Sequence, residues 1–480
     1  MAPSKYIVLA EGVLVGAETC LTVWLLATED VRPIGLLLLG AVAGVAFISV
    51  LAKSWPLGAM SLLVISSAIP RVKWTVFGLH LRPEHVAIAF VVLVVFLHVA
   101  RGQLKALPTL RTFDHFLVAY ILLNFFSSAI TSPEPRMTLR WATLNAIAVV
   151  PYFLMRLLIK NEEILYKALH VLLCVGAAES VYGIVCFLSN HISGTAFGME
   201  LDQYGFLPAT YGTQYEANLF GSYTACCAVM FLAFFLIDDT SRRTYYAWGF
   251  AVTASGAAIS LARSVLVAFP FAAFVVLWIA LRRGHLKRRK LVQLAVGFSL
   301  LLCAMSPLLG LVRERFSTID AREVSADPTT WERLAIVAAA FEDVKAHPTF
   351  GTGTASFHLF FDPHDYPEGF AGDADDPGWI SNTPLRILHD TGLVGLMAFL
   401  VFLSSLTIAL RKVAATSRGR TVAALAALSG GVVLYAITFQ ASEATLLAFT
   451  WIHLGVMAAA VVILQEKTAG LDAKRRRAFI

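Results

Sequence analysis

The sequence predicts an all-α, polytopic transmembrane helical bundle of 12–14 spans with a large extracytoplasmic loop containing an amphipathic helix. Three observations predict it. The chain of 480 residues is 58% hydrophobic and only 15% charged, and its mean hydropathy of +0.72 leaves too little polar surface to cover a water-soluble globule. The apolar runs are long and unbroken, whereas barrel strands alternate over about 10 residues, and a helix needs roughly 20 apolar residues to cross the hydrocarbon. With the amino terminus placed inside, Lys and Arg fall about two to one on the cytoplasmic side, the retention expected of basic loops.

Taken in order, the apolar runs mark about fourteen candidate spans, near 7–28, 34–52, 55–70, 84–100, 113–131, 140–158, 164–189, 216–237, 245–262, 264–281, 291–311, 384–409, 420–440 and 443–464. This divides the chain into a bundle over 1–311, a large outer loop over 312–383, and carboxy-terminal spans with a basic tail over 384–480. The formal charge of +6 is concentrated in runs such as "RRGHLKRRK" (Arg282 to Lys290) and "KRRR" (Lys474 to Arg477). Flanking a span, such runs fix topology rather than bind nucleic acid. All 6 cysteines lie inside apolar runs, where they read as small residues of the helix interior. Neither a disulfide framework nor a zinc spacing is present.

In this layout the cytoplasmic loops are short and basic, and the polar variety lies outside, at 70–84, 190–215 and above all 312–383. The chemistry is therefore expected on the outer face of a cytoplasmic membrane, which in a cell with two membranes is the periplasm. Within the long loop, Asp327 and Pro328 supply an N-cap and a first-turn proline. Trp331, Leu334, Ala338, Phe341 and Lys345 then recur at helical spacing, predicting an amphipathic helix over 328–346 that lies on the membrane surface or over a cavity mouth. It ends at "HPTFGTG", where Pro348, Gly351 and Gly353 force a turn. The stretch Phe357 to Trp379 is dense in acids and histidines. Its spacing does not match a calcium loop, so it reads as a solvated acidic loop shaping an acceptor groove, and no metal is expected.

Arg333 is followed fourteen residues later by His347 and Pro348, then by "FGTG", then by Ser381 and Asn382, nine residues, and "GLVG". This order of signals resembles the O-antigen ligase and O-antigen polymerase superfamily of polytopic membrane glycosyltransferases. Two further stretches are similar to its patterns: "SLARSVLVA", which contains Arg263, and "YEANLFGSY", which contains Glu216 and Asn218. The resemblance implies about twelve membrane helices, a large periplasmic loop, and transfer of a glycan from a polyprenyl diphosphate carrier onto an acceptor hydroxyl, with no nucleotide sugar and no cofactor.

That chemistry makes two demands. Breaking the anomeric C–O bond releases a diphosphate, and guanidinium groups, always protonated and able to grip phosphate in bidentate fashion, suit its neutralisation. Arg263 and Arg333 are the candidates. An arginine at a span centre costs about 2.5–3.5 kcal/mol, so one retained there has a partner or a task. Snorkelling to headgroups for Arg263, and a wet-face ion pair for Arg333, remain alternatives. The acceptor hydroxyl must also lose its proton, for which a neutral histidine is suited. Here the sequence departs from the ligase pattern, which reads His-Asn where this chain has Ser381 and Asn382. Asn382 is placed on a sugar or phosphate oxygen, and the base is left among His347 of the "HP" pair, for which a cap or turn role is the alternative, and His358, His364, Asp362 and Asp365 nearby in sequence. Glu216, Asn218, Gly351, Gly353, Ser381, His358 and His364 complete the substrate-binding set. His389, inside the nine-residue spacer, is expected to pack within a helix, and Gly392 and Gly395 to permit close helix contacts.

Loss of the motif histidine favours a polymerase joining repeat units of an O-antigen, capsule or exopolysaccharide. The alternatives are an O-antigen ligase or protein O-oligosaccharyltransferase, and a lipid-linked glycan flippase with Glu11, Glu18, Glu179 and Glu443 as a proton relay. The partners expected are a polyprenyl diphosphate-linked oligosaccharide, an acceptor glycan, the lipid bilayer, and a chain-length regulator or flippase of the same pathway, but no nucleic acid. Both termini are expected in the cytoplasm.

Overall fold

The computed structural model describes residues 55–72, 74–76, 79–104, 108–194, 196–201, 208–238, 240–285, 290, 292–293, 328–360 and 378–478. In chain order these form α1 (Trp55–Ala68), β1 (Trp74–Val76), β2 (Leu79–Leu81), α2 (Pro83–Ala100), α3 (Thr112–Ile130), α4 (Pro135–Leu158), α5 (Glu162–Ser193), β3 (Met199–Leu201), β4 (Pro208–Thr210), α6 (Ala217–Ile237), α7 (Arg243–Ile259), α8 (Arg263–Arg282), α9 (Pro328–Ala346), α10 (Ser356–Phe360), α11 (Thr383–Thr416), α12 (Arg420–Thr438) and α13 (Ala448–Ala478). Among the described residues nine helices are long and apolar enough to cross a membrane: α2, α3, α4, α5, α6, α8, α11, α12 and α13. The chain is an all-α, multi-pass membrane protein.

Two expected spans are shorter than the hydrocarbon requires. The run near 55–70 gives a helix of 14 residues and that near 245–262 one of 17, against roughly 20 for a full crossing. The expected spans at 7–28, 34–52 and 291–311 lie outside the described residues. The outer segments 70–84 and 190–215 contain two antiparallel hairpins where only loops were expected. Trp74 pairs with Leu81 and Val76 with Leu79, and Met199 pairs with Thr210 and Leu201 with Pro208. The alternation of "WTV" and "LHL" carries that signal, but strands of three residues are too short for periodicity to stand out.

By contacts the chain forms two compact units. The first combines residues 1–105, 158–305 and 419–431. Its centre is α6, in which every residue except Asn218 is buried. Small residues let its neighbours approach: a Cβ on Gly249 of α7 would overlap the Phe231 ring of α6. At the rim, Val92, Leu93 and Phe96 of α2 and Phe271, Phe274 and Trp278 of α8 are exposed large apolar side chains, the surface expected of helices facing lipid. The helix α5 starts at Asn161, whose side chain accepts from the Ile164 amide at 2.9 Å, and ends at Gly194 in the left-handed region, the paired caps that limit a helix. Glu179 of α5 accepts from the amide and hydroxyl of Thr213 at 3.0 and 2.8 Å, so it anchors the outer segment around residue 213.

The second unit combines residues 106–157, 306–418 and 432–480. The amphipathic helix expected over 328–346 is present as Pro328–Ala346. Ile336 and Ala340 of its apolar stripe join Phe357, Ile380 and Leu385 in one buried cluster, while Arg333, Leu334 and Phe341 are exposed. Helix α11 runs against α3, α9 and α13. Between α12 and α13 the chain is not a tight turn but a polar segment, 439–447. It is tied to the start of α11 by Thr383, whose amide donates to the Phe439 carbonyl at 2.9 Å and whose hydroxyl donates to the Ser442 carbonyl at 3.0 Å.

Candidate functional site

The site in the second unit is built on a break in α11. Gly392 has φ 65° and ψ −170°, which interrupts the helix and leaves backbone groups on both sides without helical partners. The loop after α9 fills them. The amides of Thr352 and Gly353 donate to the carbonyls of His389 and Asp390, both at 3.0 Å, and the amides of Leu393 and Val394 donate to the carbonyls of Pro348 and Thr349 at 2.8 and 3.2 Å. Two backbones approach so closely that neither glycine tolerates a side chain. A Cβ on Gly392 would overlap the Thr349 carbonyl, and one on Gly351, itself at φ 70°, would lie 2.6 Å from the backbone of Asp390 and Thr391. The glycine of "GLVG" thus serves to break a helix and receive "HPTFGTG", rather than to bring two helices together.

Around the break runs a row of charge. Asp343 of α9 meets Nε2 of His389 at 3.0 Å, and Nδ1 of His389 meets Oδ1 of Asp390 at 3.2 Å. Oδ2 of Asp390 accepts from the Ala355 amide at 3.0 Å and lies 3.3 Å from Nε of Arg386. The Arg386 guanidinium reaches Oε2 of Glu443 at 2.5 Å and the Thr445 hydroxyl at 3.3 Å, while Glu443 accepts from the Thr445 amide at 2.6 Å. The Arg386 and His389 side chains are 4% and 1% exposed. A charge so deep survives because two carboxylates and directed hydrogen bonds replace its water. Asp343, 53% exposed, is the end of the row that meets solvent.

An aromatic wall adjoins it. The rings of His358 and Trp379 stack at 4.0 Å, Trp141 meets Trp379 edge-on at 5.2 Å, and the Arg386 guanidinium lies 5.5 Å from the Trp379 ring. Flat aromatic faces beside charged groups suit sugars and cations. Below, Thr354 of "GTGT" donates to Oδ1 of Asn124 at 3.0 Å, and Nδ2 of Asn145 donates to the same oxygen at 3.1 Å.

The residues read from the sequence take these places. Arg333 is exposed on α9, and its Nη1 donates to the Ala441 carbonyl at 3.1 Å. His347 is exposed at the end of the same helix. Asn382 caps α11: its Oδ1 accepts from the Leu385 amide at 2.8 Å and its Nδ2 donates to the Gln440 carbonyl at 2.9 Å. Ser381 donates to the Trp379 carbonyl at 3.4 Å. Gly351 and Gly353 form the laced loop, and His358 belongs to the aromatic wall. His364, Asp362 and Asp365 lie outside the described residues.

In the first unit, Arg263 is the first residue of α8 and half-buried, Glu216 is the N-cap of α6, and Asn218 lies in its first turn. A Cβ on Gly221 of α6 would overlap the Ser260 hydroxyl and lie 3.0 Å from the Val265 side chain, so the "SLAR" turn sits against the start of the "YEANLFGSY" helix. Only two non-glycine residues among those described have positive φ, Leu261 at 50° and Ala355 at 59°. One precedes Arg263 and the other follows "GTGT". Such conformations cost about 1–3 kcal/mol and concentrate where function fixes the backbone.

Sequence reasoning missed Arg386, Asp390 and Asp343, and it left His389 as a packing residue and Glu443 as a relay acid. The available signal was the presence of ionisable side chains in strongly apolar helices, with Arg386 and Asp390 spaced i,i+4.

Residues 248–400 match the family model described as O-antigen ligase. That segment contains the "SLAR" turn, α9, the laced loop and the break in α11, and the match supports the resemblance to the O-antigen ligase and polymerase superfamily, whose members are glycosyltransferase-like enzymes. No curated protein matches the chain.

Proposed function

We propose that this chain, a member of the O-antigen ligase and polymerase superfamily through its segment 248–400, is a polysaccharide polymerase. It transfers a glycan from a polyprenyl diphosphate carrier onto an acceptor sugar hydroxyl on the periplasmic side of the bacterial cytoplasmic membrane. The observation that carries the reading is the broken helix α11. Its lacing with the loop after α9 sets a row of buried charge beside an aromatic wall, and Arg333 of α9 is tied to the 439–447 segment that supplies Glu443 to that row. A group-transfer site needs those parts: charge for a leaving diphosphate, flat faces for sugars, and rigid backbone to hold both.

Polymerase is preferred to ligase because position 381, the histidine of the ligase pattern, is a serine whose hydroxyl is engaged with its own turn. A ligase or protein O-oligosaccharyltransferase is the second reading, favoured by the description of the matched family. The departing diphosphate is assigned to guanidinium groups. Arg333 is the candidate in the second unit and Arg263 in the first, each to be tested alone. Glu216, Asn218, Ser381, His358, His364 and the Gly351 and Gly353 backbone are assigned to sugar and phosphate oxygens, with Asn382 and His347 at the edge of the reacting centre.

Purified protein in sealed vesicles with a lipid-linked repeat unit tests the assignment. A ladder of longer glycans supports the polymerase. Transfer of a preformed glycan to a lipid or protein acceptor without a ladder supports the ligase. Reversed sidedness at constant glycan length supports transport and contradicts both.

A further inference from the structure

With no histidine at position 381, the glycosyl transfer proposed above still needs a group to take the acceptor's proton, and this inference rests on that reading. We infer that Asp343 is the general base, positioned by His389 and Asp390. A base must be exposed to substrate yet held in one orientation by a neighbour that is itself fixed. Within the second unit Asp343 meets both conditions. Its carboxylate is 53% exposed while its partner His389 is 1% exposed, so one oxygen, Oδ2, is anchored inward at 3.0 Å. Among the described residues the other oxygen, Oδ1, has no partner.

The anchor is rigid. The His389 ring is fixed at Nδ1 by Asp390, lies 5.5 Å from the Phe357 ring, and meets the Thr352 hydroxyl of the laced loop. Asp390 in turn is held by the Ala355 amide and Arg386. Arg386 and Glu443 close the row. The other candidates among the described residues are placed differently. His347 is exposed at a helix end with no side-chain partner among the described residues, His358 is stacked on Trp379 with Nδ1 at 3.3 Å from the Gly378 carbonyl, and the Ser381 hydroxyl is a poor proton acceptor.

The step balances. The acceptor oxygen bonds to the anomeric carbon, and the bond from that carbon to the diphosphate oxygen breaks, its electron pair leaving with the diphosphate. The hydroxyl proton passes to Oδ1 of Asp343 and from there to solvent.

The test uses the full-length protein in vesicles with a polyprenyl diphosphate-linked repeat unit, comparing wild type, Asp343→Asn, Asp343→Ala and the neighbouring Glu342→Gln. Glu342 is exposed and paired with Lys345 at 2.6 Å, so its variant keeps the wild-type rate. Loss of a general base lowers kcat about 10²- to 10⁴-fold. Asp343→Asn is expected to show that loss at unchanged KM and melting temperature, and added formate is expected to restore elongation to Asp343→Ala, which a merely structural tie would not allow. An Asp343→Asn rate within about three-fold of wild type overturns the assignment, using the lower bound of the same range. So does a loss that tracks a lowered melting temperature and resists formate. Absence of elongation in wild type is a different result: it contradicts the polymerase reading itself.

Discussion

Helices α6 and α11 are both apolar enough to span a membrane, yet they solve opposite problems. In α6 every residue but Asn218 is buried among other side chains, and no charged residue interrupts Ala217–Ile237. In α11 the apolar part carries exposed Leu393, Met397 and Leu400, while its first turns bury Arg386, His389 and Asp390 and then break at Gly392. Length and hydropathy define a span in both cases. What separates a helix that organises a unit from one that carries chemistry is the interruption: backbone groups released by a break must be satisfied by another segment, and that segment brings its own side chains with it.

Substitutions in the two helices test this contrast. The largest effects are expected from Arg386→Ala in α11 and Phe231→Ala in α6, each costing about 3–5 kcal/mol, read as lowered melting temperature in detergent. The causes differ, one leaving Glu443 and Asp390 without their cation and the other leaving a cavity. Accordingly the double variant Arg386→Met, Glu443→Leu is expected to recover part of the lost stability without elongation. If it elongates normally, the charge row has no part in catalysis.

Next in size is Gly392→Ala. At φ 65° and ψ −170° the backbone is in a region essentially restricted to glycine, where another residue costs about 1–3 kcal/mol, and overlap with the Thr349 carbonyl adds to it. Limited proteolysis is expected to cut near 348–353 in this variant while the spans stay protected. Protection equal to wild type would mean that the loop does not depend on the break. Smallest is Asn382→Ala, which removes a cap worth about 1 kcal/mol. The matching change in the first unit, Asn161→Ala, is expected to destabilise by a similar amount. Only the α11 variant is expected to slow elongation, because its cap also holds the Gln440 carbonyl beside Arg333's contact at Ala441.

Much of the fold was legible because its signals are local. Helix α9 begins at the expected proline and ends beside the expected "HP", since capping and a 3.6-residue period are written in neighbouring residues. The spans from 84–100 to 216–237 follow for the same reason. The site was legible only as a set of marks. "FGTG" and "GLVG" stood out as glycine pairs, but that Gly351 and Gly392 meet is a fact about two backbones some forty positions apart. Glu443 and Arg386 pair across a still longer gap, and Asp343 reaches His389 from another helix. A single sequence records which charges sit in apolar surroundings, not which of them meet. The short hairpins failed for a different reason, since three-residue strands leave too few positions for alternation to show.

The central claim is that the chain joins glycans by displacing a lipid diphosphate, and the most direct measurement is stoichiometry. Purified protein supplied with polyprenyl diphosphate-linked repeat units should release one polyprenyl diphosphate for every repeat unit joined. Glycan growth without equimolar polyprenyl diphosphate, or diphosphate release with no new glycosidic bond, would contradict it.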